Sequence, residues 1–113
     1  MRRHQVPGED RHQEADIQLV LKTFSALGEA TRLRIALALL RGEESVGGLA
    51  QRLRLPQSTT SRHLAILRER GVVVARRQGN QVFYRLRSHI PDLLLQALAH
   101  AEHQRLGLPE HEA

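Results

Sequence analysis

The 113-residue chain has no cysteine, which excludes disulfides, thiolate chemistry and every cysteine-ligated metal centre. Any metal must be held by His, Asp or Glu. Aromatic residues are scarce as well, with two Phe, one Tyr and no Trp, so the core has to be built from Leu, Val, Ile and Ala, as in small helical domains. There is no run of ~18 uninterrupted apolar residues that would cross a membrane. The N-terminus, MRRHQVPGEDRHQEAD, lacks the apolar stretch of a secretory signal. The expectation is a cytoplasmic protein with no membrane partner, folded around a single core.

Basic charge is plentiful, and it is concentrated. The formal net charge is +5, and residues 32 to 87 carry twelve arginines against only Glu43, Glu44 and Glu69, a local excess of nine. A basic middle between more acidic ends fits a polyanionic partner, because neutralising phosphates releases condensed counterions and drives sequence-independent affinity. A solvated, Arg-rich surface is the plainer alternative.

Residues 1–15 are polar, contain Pro7 and Gly8 and show no apolar period, which predicts an unstructured tail. From Asp16, a candidate cap, the residues Ile17, Val20, Leu21, Phe24 and Leu27 recur at helical spacing until Gly28. A second helix is expected from Glu29 to Leu40. Ser45 is a plausible N-cap for a short third helix carrying Val46, Leu49, Ala50 and Leu53, and Leu55-Pro56 forces a break. A fourth helix runs from near Gln57 to Arg70, with Gly71 as its C-cap. The period then becomes extended over Val72–Ala75 and Gln81–Leu86 around a Gly79-Asn80 turn, a β-hairpin. A last helix begins between Ser88 and Pro91 and carries Ile90, Leu94, Ala97, Leu98 and Ala101 as a stripe. The expected organisation is a domain over 16–103 with a frayed tail over 104–113.

Helix, tight turn at 54–56, second helix and basic hairpin is the order of a winged helix-turn-helix, mainly α with a small β-hairpin, whose second helix enters the major groove. Gln57, Ser58, Thr59, Ser61 and Arg62 are hydrogen-bonding side chains at a helix N-terminus, where the dipole also favours anions. A capped, solvated helix start would look the same in isolation. His63 reads as a packing or phosphate-contacting residue. In the hairpin, Arg76, Arg77 and Arg85 surround a Gln78-Gly79-Asn80 tip suited to lie along the backbone or dip into the minor groove.

The stretch FSALGEATRLRI from Phe24, Leu49-Ala50, STTSRHLAILR from Ser58, Gly71-Val72-Val73 and RRQGNQVFYRL from Arg76 together resemble the ArsR/SmtB family over roughly residues 17–103. The resemblance implies a dimeric winged-helix repressor that binds a palindromic operator and releases it when an inducer, often a metal ion, binds. It also implies that dimerisation runs through the terminal helices. The cysteine site that other members carry near the third helix is absent here, since Glu43–Gly47 has no thiol. Arsenic, lead, thiolate-bound cadmium and persulfide are therefore not expected as inducers.

Three histidines of the last helix invite a metal. Eleven residues at about 100° each bring His100 back within roughly 20° of His89, and His103 neighbours His100 one turn on. Yet His89 and His100 are about 16 Å apart along one helix, too far for one zinc ion with bonds near ~2 Å. Two antiparallel copies would instead set His89 of one subunit beside His100 and His103 of the other, with the apolar stripe as seam. Polar-face histidines on a dimerisation helix are the competing account. The spacing resembles the zinc-sensing branch of the family, with Arg87 where that branch has an Asp. For a fourth ligand Asp92 comes first; water, Glu102 or the tail histidines His4, His12 and His111 are the alternatives. Three imidazoles and an oxygen favour zinc, whereas added tail ligands would suit six-coordinate nickel or cobalt.

The leading expectation is a metal-inducible repressor of double-stranded operator DNA. The alternative is an ArsR-type repressor that has lost the metal site and answers another signal or none. A hydrolase is disfavoured, because no paired carboxylate or nucleophile constellation accompanies the histidines. An interaction-only winged helix would have little reason to keep so basic a wing.

Overall fold

The computed structural model describes residues 9–110, with side chains described from Gln13 onward. The elements are α1 (Glu9–Leu27), α2 (Ala30–Ala38) with a 3-10 turn Leu39–Arg41, β1 (Glu44–Ser45), α3 (Val46–Leu53), α4 (Gln57–Glu69), β2 (Val73–Gln78), β3 (Gln81–Leu86) and α5 (Ile90–Leu106). Helix-turn-helix followed by a hairpin wing is the expected order, and it is what forms.

Local chemistry explains the boundaries. The Ser45 hydroxyl accepts from the Gly48 amide at 3.0 Å and caps α3. Arg54, in the left-handed region at φ 57, closes α3 and turns the chain toward Pro56. At the end of α4, Gly71 adopts φ 80 while the Val72 amide donates to Leu67 O and the Gly71 amide to Arg68 O. This is the Schellman arrangement that favours glycine. The wing reverses at Gly79, φ 62, with Gln78 paired to Gln81, so the glycine holds the first position of a two-residue hairpin loop.

The three strands lie in the order β1-β3-β2, all antiparallel. The core is formed by Ile35, Leu39, Leu49, Leu64, Leu67, Val72, Val73, Tyr84, Leu86, Ile90 and Leu94, aliphatic apart from one tyrosine. Arg32 ties the helices together: its Nε donates to Ala26 O at 2.7 Å, and its Nη1 lies 3.5 Å from His63 Nδ1. Arg70, at the end of α4, also donates to Ser25 Oγ on α1.

Several expectations are corrected. The first helix begins at Glu9 rather than Asp16, so residues 9–15 are helical, Asp16 lies in the helix interior, and only residues 1–8 of the expected tail lie outside the described residues. The added turns are rich in helix formers, and residues 13–16 are all exposed, so no apolar period marks them. β1 was not expected; two residues are too few for an alternation. The last helix continues to Leu106 and is closed by Gly107 at φ 68.

The radius of gyration is 17.3 Å and the extents are 60 × 39 × 20 Å, against about 13 Å for a compact chain of ~100 residues. The excess comes from α1 and α5, which leave Ile17, Val20, Leu21, Phe24, Leu95 and Leu98 exposed.

Candidate nucleic-acid interface and last-helix histidines

The starts of α3 and α4 and the tip of the wing enclose an open groove of about 370 Å³, lined by Ser45, Val46, Gly47, Gln57, Ser61, Asn80, Gln81 and Val82. No side chain caps α4, so its first amides remain available to an anion. Gln57 and Ser61 line the groove. Ser58 and Arg62 are exposed one residue further round. Each pair is four apart and shares a helix face.

The other candidates divide. Thr59 is half-buried. His63 points inward: its side chain is 12% exposed, with Nδ1 3.9 Å from Glu29 Oε1 and close to Arg32. It packs α4 onto the start of α2, the packing half of its sequence reading, and is turned away from the groove. Thr60, between the polar residues, is fully buried and donates its hydroxyl to Pro56 O.

Arg76 is already paired. Its guanidinium donates to both oxygens of Glu43 at 2.7 and 2.8 Å, to Gln78 Oε1 at 2.6 Å, and lies 5.0 Å from the Phe83 ring centroid. The hydrogen bond from Arg76 holds the Glu43 carboxyl below the usual range, and the same bond raises Arg76. Arg77, on the opposite face of the ribbon, is exposed and has no hydrogen-bond or ion partner among the described residues. Of the two arginines beside the wing tip, Arg77 is the one without a partner among the described residues. Asn80 lines the groove as well. Gln81 does too, and sequence reasoning passed over it; its position directly after the turn, facing α4, was the signal.

Another carboxylate is shifted at the start of α2. The Arg32 amide donates to Glu29 Oε1 at 2.8 Å, and this bond, helped by the nearby His63 and Arg32 charges, holds Glu29 below its usual range.

The histidines are not gathered within one protomer. His89 is not helical: it is the left-handed N-cap of α5 at φ 76, so helical rotation does not relate its direction to that of His100. The bend is imposed by the Ile90 amide bonding back to Arg87 O. His89, Asp92, His100 and Glu102 are exposed. The His103 Nε2 lies 2.9 Å from Pro109 O. Among the described residues no three His, Asp or Glu converge as a metal site. His4 and His111 lie outside the described residues, as does the His12 side chain.

The family model for the bacterial regulatory protein arsR family matches residues 29–74. The HTH-type transcriptional regulator KmtR of Mycobacterium tuberculosis is 37% identical over 105 residues, covering 92% of this chain and 81% of that protein. This chain belongs to the ArsR/SmtB family. The arsenical resistance operon repressor of Escherichia coli is 46% identical over 74 residues, 65% of this chain and 63% of that protein. The homodimeric winged helix-turn-helix DNA-binding domain Mb0332 of Mycobacterium bovis superposes with a TM-score of 0.82 at 26% identity, covering 90% of this chain and 95% of that domain. An ArsR/SmtB protein is a transcriptional regulator and not an enzyme. Among the described residues no helix is long and apolar enough to cross a membrane.

Proposed function

We propose that this ArsR/SmtB regulator is a homodimeric repressor that binds operator DNA through the groove between α4 and the wing. The observation that carries the reading is that groove, where Gln57, Ser61, Asn80 and Gln81 converge and the uncapped amides of α4 open toward an anion. Arg62 and Arg77 flank it as phosphate contacts, with Ser58 and Thr59 beside them. The exposed apolar residues of α1 and α5 are the dimer seam, as the homodimeric Mb0332 domain supports.

The proposed inducer is a metal ion, zinc in the first place, with nickel or cobalt if the tails add ligands. His89 of one subunit would hold it together with His100 and His103 of the other, and Asp92 supplies an oxygen. To lower DNA affinity the ion must bind the DNA-free conformation better. Its support is the exposure of His89, His100 and Asp92, with His103 half-buried, beside the exposed apolar residues of α1 and α5. One observation favours the second reading, a repressor answering another signal: the Arg87 guanidinium stands next to His89, and a fixed cation opposes a divalent ion there.

The test is a zinc titration of metal-free protein, following stoichiometry and promoter affinity at fixed salt, with His100→Ala alongside. About one zinc per chain and a tenfold weakening of DNA binding, both absent in the variant, uphold the metal reading. Tight DNA binding indifferent to zinc leaves the repressor and rejects the metal.

A further inference from the structure

We infer that the corner where β3 leads into α5 binds a small oxyanion, with the Arg85 and Arg87 guanidiniums as its principal donors. The corner holds a cavity of about 330 Å³ lined by Val74, Arg85, Arg87, Ser88 and His89. That is several times the ~30 Å³ share of one water, and enough for a phosphate-sized ion with part of its hydration. Among the described residues no carboxylate lines it. Arg85 lies near the end of β3 and Arg87 just beyond it, and both line the cavity together with Val74, which pairs with Arg85.

Among the described residues neither guanidinium is hydrogen-bonded to a carboxylate. Arg85 makes only a 3.4 Å bond to Leu86 O, and Arg87 has no side-chain hydrogen bond or ion pair among the described residues. The nearest carboxylate on this face, Glu43, has both oxygens committed to Arg76. Two adjacent cations outnumber Glu43, whose charge Arg85 also feels, so they raise the local potential and attract an anion, and guanidinium forks match oxyanion geometry. The Ser88 hydroxyl is a third donor.

The corner is preorganised. The Arg87 amide donates to Val72 O and the Ile90 amide to Arg87 O, with His89 in the left-handed region. The turn is therefore fixed at both ends before any ligand arrives. No side chain caps the start of α5, so its dipole adds positive potential at the same place.

The location selects a free anion over operator phosphate. Val74 and Arg85 stand five residues from the Gly79-Asn80 tip, roughly 16 Å along the strands, at the far end of the wing from the groove. The ligand class is phosphate, sulfate or a small metabolite bearing such a group. Its occupancy would link the wing base to the start of α5. The inference goes beyond the repressor reading and does not require the metal.

The test is an amide-shift titration of the full chain, with inorganic phosphate replacing chloride at constant ionic strength. The expected result is a saturable response confined to Val74 and residues 85–90, at least tenfold weaker in Arg87→Gln and Arg85→Gln and unchanged in Arg41→Gln. Non-saturating shifts, or a response that Arg87→Gln leaves intact, overturn the site. Promoter binding against salt separates the sources: if each variant flattens the slope by about 0.9, as loss of one DNA phosphate contact would, and free phosphate does not saturate, the corner belongs to the operator backbone and the small-anion site is rejected. A wild-type chain that fails to bind its promoter would reject the repressor reading alone, since the phosphate titration is made without DNA.

Discussion

Arg76 and Arg77 are neighbours in the chain, yet the pleat of β2 sends them to opposite faces, and their chemistry diverges from there. Arg76 meets Glu43 and the Phe83 ring, while Arg77 meets solvent. Arg77→Gln should flatten the salt dependence of promoter binding by about 0.9 in log-log slope and leave the melting temperature unchanged. Arg76→Gln should leave that slope alone and lower the melting temperature, because it strands Glu43; anisotropy at several salt concentrations and thermal melts distinguish the two. The same pair sets an acid limit. Glu43 and Glu29 are held below the usual glutamate range in the fold, so their contribution is present above the unfolded value and is lost as pH falls through the lowered one. Glu43→Gln should therefore reduce the loss of stability between neutral and acid pH, as read from melts across that range. Composition announced that the wing is basic. Which arginine is spent internally depends on a loop carboxylate 33 residues away in sequence, which no local pattern encodes.

The elements were legible wherever apolar residues recur. Leu49 and Ala50 marked α3, the polar start and Leu64–Leu67 end marked α4, and Gly79-Asn80 marked the wing. The outlying turns of α1 were not legible, since an exposed polar helix has no period, and neither was the bend at His89, because a left-handed residue ahead of Ile90-Pro91 leaves no compositional trace. That bend matters for the candidate metal donors, since it detaches His89 from the helical register of His100. Element boundaries also carry measurable energy. Ser45→Ala removes the Ser45 hydroxyl cap of α3 and should cost about 1 kcal/mol, measured by chemical denaturation with an unchanged m-value. Promoter affinity should fall with it only as far as α3, which supports α4, loosens.

The molecule as a whole is elongated because its two terminal helices each leave an apolar face uncovered. Leu98→Glu and Phe24→Glu should each shift the chain toward monomer in sedimentation equilibrium and weaken promoter binding at least tenfold, since paired half-sites require paired reading helices. A stable dimer from either variant would place the seam elsewhere. Arg32 and Arg70 tie α1, part of the proposed seam, directly to α4. In the proposed dimer each protomer would therefore act as a bell-crank: the pivot at the proposed seam, the proposed reading helix at the end of an arm, and two guanidiniums as the brace between them. A few degrees of rotation at the pivot become a change in the gap between the two reading helices, which must match successive major grooves about 34 Å apart. An effector acting anywhere along α5 thus has no need to touch the DNA-reading residues. It has only to change the angle at which two rigid halves meet.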